Sequence, residues 1–319
     1  MHRYLIRRFL LMIPTLFIIS VIVFGSLRLI PGDLVDMIVL EREKNAGGQV
    51  DREAIERLLG LDAPIHIQYG RWVRDIFQHG SLGVSWRSPE SVRTRIFGRV
   101  AVTIELGLLA MVMGLLVALP IGIYSALRQD TIGDYIGRSC AIIFFAVPSF
   151  WIATMIMVYP AIWWGWSPPV QLIPFTEDPL GNLGMFIIPS IILGMGMAGT
   201  TMRMTRTMML EVLRQDYIRT AYAKGLRERT VVMRHALKNA LIPVVTMIGF
   251  SLPVLVGGAV IIEKIFALPG LGRLMLEGLD QRDYALVSGI NLIFATVVVL
   301  SNLLVDISYA FLDPRIRYS

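Results

Sequence analysis

Few residues in this 319-residue chain have the types and spacing that a catalytic, nucleotide or metal site requires. Gly194, Gly196 and Gly199 spell G-x-G-x-x-G, which cradles a dinucleotide phosphate when it follows a β-strand and opens a helix. Here the three glycines lie inside an apolar stretch, which favours close packing between helices instead. The sequence contains no G-x-x-x-x-G-K-[ST] motif, so any ATP that drives this protein must bind another polypeptide.

Nucleophilic and metal chemistry also lack the necessary residues. The single cysteine, Cys140, lies in an apolar segment, and the four histidines show no metal-ligand spacing. An intramembrane hydrolase would need a nucleophile beside a base or a metal ion, and no histidine lies inside an apolar run. We therefore expect no catalytic residue, cofactor or metal ion in this chain.

Glu105 and Asp306 are the ionisable residues that the sequence puts closest to membrane depth. Such residues are functional candidates by default because burying a charge is costly. Both lie near the end of an apolar run, which favours hydrogen bonding at the membrane interface over a proton relay. An ion-coupled secondary transporter, our alternative function, would need paired charges or broken helices near the midplane, and we identify no such charged pair.

The segments that carry these residues are strongly apolar. Hydrophobic residues make up 55% of the chain, charged residues 17%, and the mean hydropathy is +0.63, which indicates an integral membrane protein. Continuous apolar runs favour helices over barrel strands. Six runs reach or approach the roughly 20 residues that cross a bilayer, so the predicted fold is all-α with six transmembrane helices: Phe9–Ile30, Val100–Leu127, Ile136–Trp164, Met185–Met202, Ala240–Ile262 and Ala285–Phe311.

Basic residues are distributed unevenly between the two sides of these spans. Sixteen Lys and Arg residues lie in the ends and short loops of one side, and three lie in the short loops of the other. The positive-inside rule therefore predicts cytoplasmic N- and C-termini and a cytoplasmic loop at about 203–239. It also explains the net charge of +6 without nucleic acid.

The long segment after the first span, residues 31–98, is expected outside the membrane. Asp51 is a suitable N-cap for a helix that ends at Gly60, and a second helical pattern around Trp72 ends at Gly80. We interpret this segment as a small cap on the membrane surface in preference to a dedicated ligand site. The predicted organisation is residues 1–30 as N-terminus and first span, 31–98 as cap, and 99–319 as a five-helix core.

The cytoplasmic loop has an unusually regular pattern. From Leu210 to Lys224 apolar residues cluster on one helical face, Gly225 stops or bends the helix, and a second apolar stripe runs from Val232 to Ala240. This pattern predicts two short helices joined at Gly225. By itself it leaves two interpretations open, docking of a partner protein and contact with anionic lipid headgroups.

At these residues the sequence resembles a known family. DYIRTAYAKG, followed by RHALKNALIP, is similar to the cytoplasmic loop of permease subunits of ATP-binding-cassette importers in the dipeptide, oligopeptide and nickel branch. RRFLLMIPTLFIISVIVFGSLRLIPGD, YGRWVRDIFQHGSLGVSWRS, FALPGLGRLMLEGLDQRDYALVSG and LDPRIRYS extend the resemblance, to the first permease of a pair, over nearly the whole chain. Leu34 departs from it, because many relatives have proline there.

The resemblance implies a type I importer permease with a small extracytoplasmic insertion after the first helix. Its coupling helix would dock into a cleft on an ATPase subunit, with Gly225 as hinge. Arg219, Thr220 and Ala221 replace the Glu-Ala-Ala of the broad permease pattern, as is usual in the peptide branch. The coupling residues carried over by position are Asp216, Tyr217, Arg219, Thr220, Ala221, Lys224, Gly225 and Leu226.

The resemblance also implies partners and a location. The partners would be a homologous second permease, two ATPase subunits or one fused ATPase that bind ATP and Mg²⁺, an extracytoplasmic solute-binding protein and the lipid bilayer. The chain would reside in a bacterial or archaeal cytoplasmic membrane. Peptides are the default solute, while glutathione, nickel and oligosaccharides stay open and the residues of the solute path stay unassigned.

Overall fold

The computed structural model describes residues 2–28, 34–46, 51–58, 60–85, 87–88, 90–169 and 171–312. Within these ranges the regular elements are helices, and an isolated bridge joins Val84 to Ser91. The helices are α1 (His2–Arg28), α2 (Leu34–Ala46), α3 (Arg52–Leu58), α4 (Ile65–His79), α5 (Val92–Leu127), α6 (Ile132–Ala146), α7 (Ser149–Trp164), α8 (Pro179–Leu213), α9 (Asp216–Ala223), α10 (Glu228–Thr230), a π-helical turn (Val231–Ala236), α11 (Leu237–Ile265), α12 (Leu271–Asp280) and α13 (Tyr284–Leu312).

Among the described residues, five helices are long and apolar enough to cross a membrane, and a sixth span results if the bent pair α6–α7 is counted as one. The five are α1, α5, α8, the continuous stretch Glu228–Ile265 and α13. The all-α prediction is confirmed, and the described residues of the six apolar runs lie on helices except for Val147 and Pro148 between α6 and α7.

The third predicted run, Ile136–Trp164, is not one straight helix. It consists of α6 and α7, whose axes differ by 88°. Val147 between them is extended, with φ −85° and ψ 123°, and Pro148 follows it. A residue before proline is disfavoured in the α-helical region, and proline has no N–H to continue the hydrogen-bond ladder, so the helix ends there.

The chain forms two compact units. The first comprises the described parts of residues 1–9, 100–273 and 297–319. Its largest apolar core joins α5, α8 and α11 through fully buried side chains such as Leu106, Phe186 and Ile262. A side-chain carbon at Gly194 would meet the carbonyl oxygen of Ala110, so the glycine permits close approach of α5 and α8, as predicted.

Asp306 also lies in the first unit. Its carboxylate is 2.9 Å from the guanidinium of Arg8, which makes it one half of an ion pair at a span end. This pairing agrees with the structural role predicted for Asp306 in preference to a proton relay.

The second unit comprises the described parts of residues 10–99 and 274–296. The Asp51 carboxylate accepts a hydrogen bond of 3.0 Å from the backbone of Glu53 at the start of α3, and Gly80 ends α4 with φ +61°, both as predicted. Helix α2 was not predicted from the sequence pattern. Two of its side chains, Val35 and Ile38, are buried in a small apolar cluster with Ile55 of α3.

Candidate functional site

The predicted coupling residues lie on α9 and the turn that follows it, all within the first unit. The helix predicted from Leu210 to Lys224 is interrupted: α8 ends at Leu213, and Gln215 is extended, with φ −73° and ψ 149°. This break makes α9 a separate helix of eight residues. The single-helix expectation for that stretch is therefore wrong, whereas the position carried over for the coupling element coincides with α9.

Gly225 ends α9 in a left-handed conformation, with φ +74°. Its N–H donates to the carbonyl of Tyr222 at 2.9 Å, and the N–H of Leu226 donates to the carbonyl of Ala221 at 3.4 Å. These two bonds form a Schellman motif, which requires a left-handed residue and therefore favours glycine. The predicted glycine elbow is present, and the chain direction after α9 is fixed by backbone geometry.

The inner face of α9 is locked into an apolar cluster, which we call the anchor cluster. Ile218 has no exposed surface and Ala221 is 7% exposed, and their spacing of three residues puts both on one helical face. The cluster joins them to the ends of α5, α8 and α11 and to the π-helical turn through Ala126, Met209, Val231, Val232, Ala236 and Ala240. Any displacement of α9 therefore bears directly on these helix ends.

The outer face of α9 exposes apolar and cationic groups together. Tyr217 and Tyr222 are each 43% exposed, and Leu226 is 38% exposed. Asp216, Arg219, Thr220, Lys224 and Gly225 are exposed as well. Seven of the eight predicted residues thus share an accessible surface, whereas Ala221 faces the anchor cluster.

Tyr217 is tied to α11 by a residue that the sequence analysis did not include in the site. The Asn239 amide donates a hydrogen bond of 2.8 Å to the Tyr217 hydroxyl. The only feature of the sequence that could have indicated Asn239 is that it is the one amide among the basic and apolar residues of RHALKNALIP. Asn239 therefore positions the aromatic side chain on the outer face.

A buried ion pair lies near the same end of α8. The guanidinium of Arg206 donates two hydrogen bonds of 2.7 Å, one to each oxygen of the Asp134 carboxylate, and Asp134 has no exposed surface. The sequence does not reveal this pair, because its two residues are 72 positions apart. The pair joins α6 to α8, and Arg206 lies seven residues before the end of α8.

Metal and nucleotide chemistry gain no support from this geometry. Across the described ranges, no three His, Cys, Asp or Glu side chains are grouped as a metal site. Gly199, the last glycine of G-x-G-x-x-G, packs against the backbone of α6 at Ala141. The candidate site therefore consists of an exposed outer surface and an inner face that is packed against the ends of long apolar helices.

Comparison with known proteins identifies the family. Residues 118–318 match the model of the binding-protein-dependent transport system inner membrane component, and residues 1–107 match the model of its N-terminal part.

Curated relatives match along their whole length. The chain is 39% identical over 317 residues to a Brucella abortus protein named for a peptide transport system permease, which covers 98% of both chains. It is 37% identical to the dipeptide transport system permease protein DppB of Alkalihalophilus pseudofirmus and 36% identical to the glutathione transport system permease protein GsiC of Salmonella paratyphi A, with full coverage of both chains in each case.

Solved structures agree at the level of fold. An inward-facing methionine ABC transporter matches with a TM-score of 0.52 at 18% identity, covering 68% of this chain and 96% of that one. An amino acid ABC transporter matches with a TM-score of 0.53 at 12% identity, covering 69% and 94%. The matched family model and the full-length relatives show that this chain belongs to the family of binding-protein-dependent transport system inner membrane components.

Proposed function

We propose that this chain forms half of the transmembrane path of an ATP-driven importer and that α9 is the element on which an ATPase subunit docks. The observation that carries the proposal is the two-sided construction of α9. Its inner face is buried among the ends of long helices, and its outer face with the turn that follows exposes two tyrosines and a leucine. Exposed aromatic side chains with neighbouring cations suit a protein interface.

The inner face explains how motion would pass from partner to membrane. Protein interiors are close-packed, so Ile218 cannot shift within the anchor cluster without moving Met209 or Val231. An ATPase that displaces α9 therefore displaces the ends of α8 and α11. In two-state terms, ATP binding stabilises one arrangement of these helices, and hydrolysis allows the other to return.

The outer face suggests the chemistry of the partner's cleft. Arg219 and Lys224 flank the exposed tyrosines, and neither forms an ion pair with another element in the described part of the chain. A cleft with an apolar floor and an acidic rim would complement this surface in both shape and charge. ATP and Mg²⁺ bind to that partner, as two ATPase subunits or one fused ATPase, and this chain carries out no covalent step.

We propose small peptides as the solute class. The three relatives above are named for peptide, dipeptide and glutathione transport, and all three solutes contain peptide bonds. The sequence resemblance also leaves nickel and oligosaccharides open as solutes, and our proposal does not include them. A homologous second permease would complete the path, and an extracytoplasmic binding protein would deliver the solute.

Reconstitution tests the proposal against the ion-coupled alternative. The complete transporter is placed in liposomes, and uptake of a labelled dipeptide delivered by the binding protein is measured with ATP on the ATPase side. We expect uptake that requires ATP and stops when the ATPase subunits carry an inactivating substitution. Uptake driven by a proton or sodium gradient without the ATPase subunits would support the ion-coupled alternative, with which the bent α6–α7 pair is also compatible.

The proposed orientation has its own test. Single cysteines are introduced at Lys224, beside α9, and at Glu177, before α8, in a chain with Cys140 replaced by serine. An impermeant maleimide applied to spheroplasts should label position 177 and reach position 224 only after lysis. The reverse pattern would place α9 outside the membrane and remove the docking role.

A further inference from the structure

A cavity of about 340 Å³ lies between α6 and α8, beside the end of α5 and within the first unit. Much of its wall is apolar and includes Ala141, Ile142, Phe145 and Met202. Three arginines line the same cavity, at positions 138, 203 and 206. This combination of an apolar wall and guanidinium groups is not explained by the coupling role of α9.

The charges around the cavity do not balance. Arg206 is neutralised by its two hydrogen bonds to Asp134. Arg138 and Arg203 are exposed, and within the described ranges neither forms an ion pair. The guanidinium of Arg138 lies over the ring of Tyr135, 5.3 Å from its centroid. Two cations therefore face this cavity without a carboxylate partner, which makes it attractive to an anion.

Both cations lie where their helices pass from polar to apolar sequence. α8 has 35 residues and is about 50 Å long, which exceeds a hydrocarbon core of about 30 Å. Arg203 is its first charged residue, after an uncharged stretch of more than 20 residues, and Arg138 is the last charged residue before the apolar part of α6 and all of α7. Such positions correspond to the depth of lipid headgroups.

The apolar wall continues from the cavity along the surface of α6. Ile142 is 67% exposed and Phe145 is 66% exposed, one and two helical turns beyond Arg138. Inorganic phosphate would satisfy the two arginines but would leave these apolar side chains uncovered. A ligand with an anionic group and a long hydrocarbon chain matches both parts.

We propose that this cavity binds an anionic phospholipid, with Arg138 and Arg203 contacting the headgroup phosphate and an acyl chain covering Ile142 and Phe145. Guanidinium groups bind phosphate in a bidentate manner, and basic pockets between transmembrane helices hold anionic headgroups. The charge distribution of the chain assigns the lipid to the cytoplasmic leaflet. The site is independent of the identity of the transported solute.

The location of the cavity connects lipid binding to the candidate site. Arg206, on its wall, is three residues before Met209 of the anchor cluster, and Ser125, also on its wall, precedes Ala126 of that cluster. A lipid held here bridges α6 and α8 next to the helix ends that hold α9. Anionic lipid would thereby support the geometry on which coupling depends.

Photolabelling tests the site in the complete transporter. The complex is placed in nanodiscs that contain either a photoreactive phosphatidylglycerol or a phosphatidylcholine with the same acyl photogroup, and labelled peptides are identified by mass spectrometry. We expect phosphatidylglycerol to label α6 and α8 around the cavity. The Arg138→Gln, Arg203→Gln double variant should lose this labelling by at least about tenfold, because it removes the charge-assisted hydrogen bonds to the phosphate.

Two further variants separate binding from misfolding. Arg138→Lys with Arg203→Lys keeps both charges and should keep most of the labelling. Arg214→Gln removes an exposed arginine at the end of the same helix and should leave it unchanged. Equal labelling by phosphatidylcholine, unchanged labelling in the double glutamine variant, competition by inorganic phosphate alone, or absence of labelling because the second permease covers the cavity would each overturn the proposal.

Discussion

Helices α9 and α4 are both amphipathic and both end at a glycine with positive φ, but they are held in different ways. α9 has eight residues and buries Ile218 completely. α4 has 15 residues and buries none completely. Its contacts are made by Tyr69 and Trp72, whose rings lie 5.4 and 5.6 Å from that of Phe24, and by the Gln68 amide oxygen, which accepts hydrogen bonds from the guanidinium of Arg28.

The difference shows that length does not decide how firmly a short helix is attached. A fully buried aliphatic side chain in a close-packed cluster transmits displacement, because its neighbours must move with it. Half-exposed aromatic and polar contacts can adjust and remain accessible. We therefore expect α9 to be sensitive to small changes on its inner face and α4 to tolerate similar changes.

The largest expected effect comes from placing a carboxylate on the inner face of α9. Ile218→Asp loses the burial of an isoleucine, about 1.5–3 kcal/mol, and adds the cost of an unpaired charge in an apolar cluster. We expect loss of ATP-coupled peptide uptake in proteoliposomes, measured together with ATPase activity. The matched variant Ile76→Asp in α4 changes a half-buried isoleucine and should keep most of the uptake. Similar losses of uptake in both variants would show that α9 and α4 do not differ in their sensitivity to a buried charge.

The second effect concerns the two left-handed glycines. Gly225 has φ +74° and Gly80 has φ +61°, and a β-branched residue in this region costs about 1–2 kcal/mol. Apart from its two chain neighbours, no described residue comes within 4 Å of a side-chain carbon built on Gly225, so strain there arises from the local backbone. Gly225→Val should lower the ratio of peptides transported to ATP hydrolysed, and Gly80→Val should not.

Gly225→Asn provides the control for this prediction. Asparagine tolerates the left-handed region better than valine, so this variant should retain most of the coupling ratio. A valine variant with a normal coupling ratio would show that the elbow does not require its left-handed conformation.

The features that could be predicted from the sequence are those determined by residues close together in the chain. Apolar runs of sufficient length become spans whatever their neighbours are, and Gly80 and Gly225 each end a helix because the positive φ of a cap favours glycine. The Asp51 cap is equally local. The candidate coupling element required the family resemblance, because pattern alone left lipid contact and docking equal.

The features that sequence missed depend on residues far apart in the chain. Asp134 and Arg206 are 72 positions apart, and Tyr217 and Asn239 are 22 apart, so neither partner is visible from local pattern. The break at Gln215 was hidden because apolar residues on both of its sides keep helical spacing; tertiary packing in the anchor cluster overrides that local preference. The bend before Pro148 was detectable in principle, but other prolines lie inside continuous helices here, such as Pro120 and Pro189.

A third, smaller effect is expected from the tether between α9 and α11. Tyr217→Phe keeps the aromatic surface but removes the acceptor of the 2.8 Å hydrogen bond from Asn239. A neutral hydrogen bond contributes about 0.5–1.5 kcal/mol, so we expect a decrease of a few fold in affinity for the ATPase, measured by titration of detergent-solubilised components. Asn239→Ala should produce the same decrease, and the double variant no further one. Additive losses would mean that the two residues act separately.

The smallest effect should come from the ion pair on the outer face of α9. Arg219 and Asp216 are 3.5 Å apart, with side chains 76% and 97% exposed, so the pair contributes at most about 1 kcal/mol to stability. Arg219→Gln should leave the thermal unfolding temperature unchanged but lower the rate of association with the ATPase at low salt, because exposed charges act mainly by steering. The difference should disappear at high ionic strength. Arg74 of α4 is also exposed, and Arg74→Gln should alter neither quantity. A matching decrease in that variant would mean that overall charge, not the face of α9, attracts the partner.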